Sequence, residues 1–463
     1  MQDTQNLLSI IRLKKYFPMS KNHLLQRSRP MLRANESITL DIRKGETFGL
    51  VGESGCGKST FGRTVLQLYP PTSGETLYFG ETIENFSPKY VRKMLKNAAR
   101  YYREENALPN KNVKKDETGA RIFGGLLALP YEQFAQGVRL LKALYLRENN
   151  HSTRTWYDQT AILTALERLK APYKDEERFQ RLEEKKTDGI DLSKLTPSEL
   201  RRLRKDLQII FQDPYSSLNP RMTVGQIIEE GVLTHKYYKK GSAELKKYVQ
   251  EVMKRCGLQE YMLHRYPHQF SGGQRQRVCI ARALAVQPKF VVCDECVSAL
   301  DVSIQSQILN LLTELKEKER LTYLFISHDL SVVRYISDRI GVMYLGEIVE
   351  LGGAEEVFSN PRHPYTIALI SAIPTMEDEV TKKEKILLEG NMPSPISPPS
   401  GCKFHTRCFM SQECCQRVPA PIVEVEKGHF VACHFAEKGT EEKRSLAMKN
   451  EGEPVQKNEG ETK

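Results

Sequence analysis

Long hydrophobic runs are missing from this 463-residue chain: no stretch approaches the roughly 18 apolar residues that a membrane-spanning helix needs. Residues 1–16 lack the apolar centre and cleavage site of a secretory signal, so the sequence predicts a protein that stays in the cytoplasm. Tryptophan is nearly absent, with Trp156 the single copy. A disulfide framework is missing too. Of the ten cysteines, Cys56, Cys256, Cys279, Cys293 and Cys296 lie scattered in apolar or loop segments, whereas the other five crowd between Cys402 and Cys433. That crowding suggests a metal site rather than oxidised staples.

What is present fits a soluble globular protein of two or more domains, with 40% hydrophobic and 27% charged residues. The net charge of +11 is unevenly spread. Residues 86–194 hold 22 Lys and Arg against 15 Asp and Glu, so a quarter of the chain carries most of the excess. A basic surface of this kind meets solvent or a partner more often than it performs catalysis.

The chain is organised around Gly52-Glu53-Ser54-Gly55-Cys56-Gly57-Lys58-Ser59, which reads G-x-x-x-x-G-K-S and follows the apolar run Thr47-Phe48-Gly49-Leu50-Val51. Strand, phosphate loop and helix follow one another. The glycines let successive N–H groups turn toward the phosphates of a nucleotide, and the next helix presents its positive end to the same charge. Lys58 would reach the β- and γ-phosphates, and Ser59 would place its hydroxyl on Mg²⁺.

Further along, Leu207-Gln208-Ile209-Ile210-Phe211 reads as a strand that delivers Gln212 toward Mg²⁺ or the attacking water. Ser271-Gly272-Gly273-Gln274 opens a helix and offers a second anion site. One nucleotide has one set of phosphates, so two such sites in a chain suggest that each meets the phosphates of a partner subunit. Phe290-Val291-Val292-Cys293 is a continuous apolar run of the buried parallel kind, and it delivers Asp294 and Glu295 at its carboxyl end. Asp294 would hold Mg²⁺ and Glu295 would polarise the attacking water. A second buried run, Thr322-Tyr323-Leu324-Phe325-Ile326-Ser327, carries His328, which would donate to the γ-phosphate. Residues 7–11 form a short first strand, with Tyr16 and Phe17 after it as aromatics able to stack on an adenine. Residues 88–105 and 133–148, inside the basic region, have helical spacing broken by Gly124-Gly125 and Trp156.

Phosphate loop, strand-Gln, Ser-Gly-Gly-Gln, strand-Asp-Glu, Ser298-Ala299-Leu300-Asp301 and strand-His occur in an order that resembles the nucleotide-binding subunit of an ATP-binding-cassette (ABC) transporter. Residues 212–220 (QDPYSSLNP) and 360–366 (NPRHPYT) are similar to the ATPase subunits of dipeptide and oligopeptide importers, and residues 292–301 are more similar to the second, F-type, subunit of such systems. The resemblance implies an α/β, RecA-like P-loop nucleotide-binding domain with an ABC β-subdomain and a helical subdomain. The resemblance assigns 1–85 and 195–350 to the ATPase and 351–435 to a C-terminal extension; it says nothing about 86–194, which composition and spacing mark as an inserted basic helical subdomain, and residues 436–463, charged and without aromatics, read as a disordered tail. ATP would be held by Phe17, or alternatively Tyr16, by Gly52, Glu53, Ser54, Gly55, Cys56, Gly57, Lys58, Ser59 and Thr60, and by Ser271, Gly272, Gly273 and Gln274 of the opposing subunit. Mg²⁺ would sit on Ser59, Gln212 and Asp294, with Glu295, Gln212 and His328 catalytic.

Implied partners are a second ABC ATPase, two transmembrane permeases and an extracytoplasmic peptide-binding protein, all met from the cytoplasmic face of the membrane. Nucleic acid is not expected. The competing class is a cassette ATPase outside transport whose basic insert binds nucleic acid, and a third reading keeps transport with nickel or sugar as cargo. Two departures stand out: Cys296 occupies a position where the family usually has proline, and the insert replaces a short helical link. Cys402, Cys408, Cys415 and Cys433 match the cysteines of C-terminal extensions that in some relatives bind a [4Fe–4S] cluster. Four thiolates suit such a cluster or structural zinc, with Cys414, His405 and His434 as possible substitutes.

Overall fold

In the computed structural model, the structure describes residues 6–20, 29–107, 118–145, 159–373, 385–439 and 443. Trp156 and most of the expected tail lie outside them. In chain order the strands are β1 (Asn6–Pro18), β2 (Met31–Arg43), β3 (Thr47–Val51), β4 (Ser73–Tyr78), β5 (Ile190–Asp191), β6 (Leu207–Ile210), β7 (Phe290–Asp294), β8 (Thr322–Ile326), β9 (Arg339–Tyr344), β10 (Glu347–Gly353), β11 (Ile422–Glu426) and β12 (His429–Ala432). The chain separates into two compact units, one of residues Gln5–Glu75 and Arg204–Lys463 and one formed around Thr76–Leu203.

The larger unit is built on an eight-stranded sheet in the order β11-β12-β10-β9-β3-β8-β7-β6. Its central part is parallel, since β9 and β8 flank β3, and β7 and β6 follow beyond β8. The sequence explains why: every residue of β3, β7 and β8 is buried, as expected where both faces of a parallel sheet are covered. The strand ends then dictate the site. Ligands of open α/β sheets bind beyond the carboxyl ends of the strands. The phosphate loop leaves β3, His328 leaves β8, Asp294 and Glu295 end β7, and Gln212 follows β6. Neighbouring strands lie about 4.8 Å apart, so four separate motifs meet along one edge roughly 15 Å long.

Helix α1 (Lys58–Val65) starts directly from the phosphate loop and buries Phe61, Thr64 and Val65. Against the expectation of a short first strand ending at Ile11, β1 continues to Pro18. It pairs antiparallel with β2 as far as Phe17↔Leu32 and Pro18↔Met31. Register shifts between Ile10 and Leu13 and again on either side of Lys15 break the alternation, so the apolar period ends before the strand does. Phe17 therefore lies within the strand rather than after it.

In the smaller unit, β4 and β5 pair through Leu77↔Asp191 and Tyr78↔Ile190. Its helices include α2 (Lys89–Lys96), α3 (Ala98–Asn106), α4 (Tyr131–Tyr145) and α5 (Gln159–Lys170). Val91, Met94, Leu95 and Ala98 turn inward, whereas Lys89, Arg92, Lys93, Lys96, Arg100 and Arg103 are exposed, which is the amphipathic spacing that makes these segments helical. Gly124-Gly125 opens a short 3₁₀ turn after Phe123, where the sequence predicted a break. The core of this unit is aromatic: Phe123, Phe134, Tyr101 and Tyr102 pack with centroid distances of 4.7–6.0 Å.

Back in the larger unit, α6 (Val224–Thr234), α7 (Ala243–Arg255) and α8 (Gly272–Leu284) share one apolar core that includes Ile227, Val252 and Ile280. Capping boxes at Thr223–Gln226 and Ser271–Gln274 set the starts of α6 and α8. The same unit contains α9 (Val302–Glu319), α10 (Leu330–Ile336) and α11 (Pro364–Ser371). Among the described residues, no helix is long and apolar enough to cross a membrane.

Candidate functional site

The phosphate loop takes its shape from backbone angles that favour glycine: Gly52, Gly55 and Gly57 have φ of 150°, 83° and 109°. Gly57 caps α1 directly, so the N–H groups at the start of that helix face the concavity of the loop. The loop is also tied from outside. Asn35 Nδ2 donates to Gly57 O at 3.0 Å, and Gly346 N donates to Cys56 O at 2.8 Å. Cys56 is buried and its thiol is pushed up by burial, which makes it a packing residue of the loop. Lys58 is 3% exposed, and its ammonium curls over the loop to donate to Gly52 O at 2.7 Å and Glu53 O at 2.9 Å. These are bonds that phosphate oxygens can replace. Ser59 and Thr60 follow on the first turn of α1, both partly buried.

Two strands away, Asp294 is fully buried. Arg63 reaches from α1 to pair with its Oδ2 at 3.1 Å, whereas Oδ1 is buried without a hydrogen-bond partner among the described residues. A buried carboxylate oxygen left unpaired is costly, and a divalent cation or its water would satisfy it. Glu295 adopts φ of 48°, an unusual angle for a non-glycine residue that turns its side chain off the strand line. Its N–H still bonds Ile326 O at 3.0 Å, so β8 holds the turn. Its Oε2 accepts from Gln212 Nε2 at 2.8 Å and lies 3.5 Å from His328 Nδ1. Gln212, Glu295 and His328, from three adjacent strands, thus meet around one carboxylate oxygen.

The Ser271–Gln274 turn is closed on itself: Ser271 Oγ accepts from Gln274 N at 3.3 Å and Gln274 Oε1 from Ser271 N at 3.1 Å. Ser271 and Gly272 are exposed, and a Cβ at Gly272 or Gly273 would meet Leu300 or Ile304, residues of the segment after Glu295. Phe17 packs edge-on against Tyr69 at 5.5 Å, with the Lys15 ammonium 4.6 Å from its ring centre. Tyr16 is committed elsewhere, since its hydroxyl bonds the Glu36 carboxylate.

Cys402, Cys408, Cys415 and Cys433 line a single small cavity together with Phe404, His363, His405 and His434. Burial, reinforced by the other three sulfurs, pushes the Cys408 thiol up to about 12; burial likewise raises Cys402 to about 11. The Cys408 and Cys433 sulfurs accept backbone N–H groups of Met410 and Phe435, each at 3.4 Å. Of the possible substitutes, His405 Nδ1 lies 2.8 Å from Cys402 O, His434 Nε2 lies 3.0 Å from Val418 O, and Cys414 is exposed. Among the described residues, no group of three or more His, Cys, Asp or Glu side chains is arranged to hold a metal ion.

Sequence reasoning missed Arg63, Tyr365 and Arg407. Arg63 had a local signal, a cation one and a half turns after Lys58 on a helix whose other face is buried. Tyr365 OH accepts the Glu53 N–H at 2.9 Å, and Arg407 Nη1 donates to both Glu53 oxygens. Neither has a local signal, because each acts on a residue more than 300 positions away.

A P-loop on a RecA-like parallel sheet, with a carboxylate pair on the next strand but one and a Ser-Gly-Gly-Gln helix start, defines an ABC-type ATPase. The ABC transporter family model matches residues 35–185 and 160–298, and the model described as oligopeptide/dipeptide transporter, C-terminal region, matches residues 349–415. The oligopeptide transport ATP-binding protein AppF of Bacillus subtilis is 38% identical over 432 residues, covering 93% of this chain and 98% of AppF. The oligopeptide transport ATP-binding protein OppF of Escherichia coli is 36% identical over 429 residues, covering 92% of this chain and 95% of OppF. Among solved structures, a bacterial ABC transporter cassette, MJ0796, aligns with a TM-score of 0.46 at 21% identity, over 75% of this chain and 98% of that one. The chain belongs to the ATP-binding proteins of ABC transporters, in the oligopeptide/dipeptide importer family.

Proposed function

We propose that this chain is the ATP-hydrolysing subunit that energises import of dipeptides or oligopeptides, working on the cytoplasmic face of the membrane beside a second cassette ATPase and two permeases. The observation that carries the reading is the meeting of Gln212, Glu295 and His328 at one carboxylate oxygen, on the residue next to Asp294 with its orphaned Oδ1. Lys58 exchanges its loop carbonyls for β- and γ-phosphate oxygens, and the N–H groups of residues 55–60 cradle the same phosphates. Ser59, Gln212 and Asp294 would hold Mg²⁺, which when bound offsets the charge gathering on the phosphates. Glu295 takes the proton of the water whose oxygen bonds to the γ-phosphorus as the bridge to the β-phosphate breaks. His328 donates to a γ-phosphate oxygen, and Gln212 links this carboxylate to the exposed loop after β6, where a permease can report its state. Phe17 offers a partly buried ring to the adenine, and Ser271-Gly272-Gly273-Gln274, exposed at Ser271 and Gly272, serves the nucleotide of the partner cassette.

Purification of the Glu295→Gln chain with ATP from gently solubilised native membranes tests this assembly. A second cassette ATPase and two permeases are expected to come with it, and an extracytoplasmic peptide-binding protein narrows the cargo. Recovery of nucleic acid without permeases refutes the transport assignment.

We also infer that Cys402, Cys408, Cys415 and Cys433 hold an iron–sulfur cluster rather than zinc. A single zinc draws four sulfurs to about 2.3 Å from one point, whereas a cluster spreads them around a larger core. Four thiols around one small cavity supply the ligand number that a cluster takes. The N–H bonds to the Cys408 and Cys433 sulfurs are of the kind that stabilise cluster thiolates. Anaerobically purified protein is expected to contain about four iron atoms per chain. Zinc in their place, or neither metal, sinks the inference.

A further inference from the structure

Glu53 is held through three groups, its carboxylate, its N–H and its carbonyl. Its carboxylate receives Arg407 Nη1 at 2.9 and 3.1 Å, its N–H donates to Tyr365 OH at 2.9 Å, and its carbonyl accepts from Lys58 Nζ at 2.9 Å. Two of the three partners come from the C-terminal extension. Arg407 is itself immobilised: its side chain is 7% exposed, its Nε donates to Glu389 O at 3.3 Å, and its backbone N donates to Phe404 O at 3.0 Å. Phe404 and Tyr365 are fully buried and pack on each other at 5.4 Å, and both pack on Tyr344 at 5.1 and 4.9 Å. One aromatic block therefore carries both arms that reach Glu53. A third contact covers the loop, since a Cβ on Gly55 would lie 3.4 Å from Met392 Cε.

We propose that Arg407 and Tyr365 are positioning residues for the ATPase: by clasping Glu53 they fix the phosphate loop that carries Lys58, so that the C-terminal extension sets the affinity for ATP. The proposal rests on the reading of residues 52–60 as the phosphate cradle. The physical case is that a Gly-rich loop has many conformations of similar energy and gains affinity from being restricted to the receiving one before the ligand arrives. A charge-assisted bond on the carboxylate and a neutral bond on the N–H of the same residue restrict both its side chain and its peptide plane. The Arg407–Glu53 pair is mostly out of water, so deleting either partner strands the other charge.

The test uses the full-length chain and MgATP, with Kd from titration calorimetry and KM and kcat from steady-state turnover. Arg407→Gln is expected to raise Kd about tenfold, with the loss falling on KM rather than kcat. Arg407→Lys is expected to restore part of the affinity, and Arg407→Gln with Glu53→Gln to bind no more weakly than Arg407→Gln alone, since both remove one contact. Should Arg407→Gln fold poorly, Glu53→Gln probes the same contact from the more exposed side. Wild-type Kd in either single variant, or additive losses in the pair, overturns the clasp. The parent chain keeps the two readings apart: if it takes up no MgATP the ATP site itself is wrong, and if it binds while Arg407→Gln binds equally well only the clasp is wrong.

Discussion

Glu295→Gln is expected to bind MgATP about as tightly as the parent chain and to hydrolyse it at least roughly 100-fold more slowly, the loss typical of removing a general base. The substitution keeps the shape of the side chain and one oxygen acceptor, so the bond from Gln212 Nε2 at 2.8 Å survives. What disappears is the basic carboxylate. The backbone is unaffected, because Gln meets the same demand as Glu at φ of 48° and keeps the N–H bond to Ile326 O. Lys58, Ser59 and Asp294 are untouched, which is why affinity is retained while turnover falls. Single-turnover release of phosphate, set beside the MgATP Kd, separates the two quantities. Hydrolysis at the parent rate would place the proton acceptor on another group, and a large loss of affinity would mean that Glu295 holds the ground-state nucleotide.

The residues that the structure gathers at this candidate site divide by the distance in sequence over which they are joined. Gly52 to Ser59 were legible in the sequence because the strand, the turn and the helix start they require are contiguous. Asp294, Glu295, His328 and Gln212 were legible because each ends an apolar run, and a parallel sheet brings such ends to one edge. The sequence contains no sign of strand order, however, and it is the order β3-β8-β7-β6 that sets His328 and Gln212 on either side of Glu295. Arg63, Tyr365 and Arg407 act across 231, 312 and 354 positions, so neither spacing nor periodicity could join them to Asp294 or Glu53. Phe17 illustrates the opposite failure. Its local pattern was readable, but bulges on both sides of Lys15 moved the strand end beyond the point where alternation stops. The basic region reads as helical from the spacing over residues 88–105 and 133–148, whereas the smaller unit extends to Thr76–Leu203 because β5, two residues long, pairs with β4. A two-residue strand leaves no period to detect.

Gly57→Ala is expected to weaken MgATP binding by at least about 100-fold, close to 3 kcal/mol, while Gly45→Ala leaves it within about twofold. Both glycines have positive φ, 109° and 75°, so both substitutions pay a conformational penalty of about 1–2 kcal/mol. Their surroundings differ completely. A Cβ at Gly45 meets nothing within 4 Å, and the turn between β2 and β3 can absorb it. At Gly57 the same atom would lie 2.1 Å from Ala34 O and 3.0 Å from Asn35 Nδ2. Those are not compliant neighbours. Asn35 is registered against Lys15 across the β1–β2 ladder, and its side chain holds Gly57 O. The strand cannot retreat without breaking its pairing, so the loop must move, and the first N–H groups of α1 swing off the phosphates with it. The loss therefore falls on affinity, with a smaller fall in Tm, because the sheet beneath keeps its buried strands β3, β7 and β8. Calorimetric titration and thermal melting of the two variants side by side distinguish the cases. Equal binding by both would show that the fixed shape of the loop is not what recognises the phosphates.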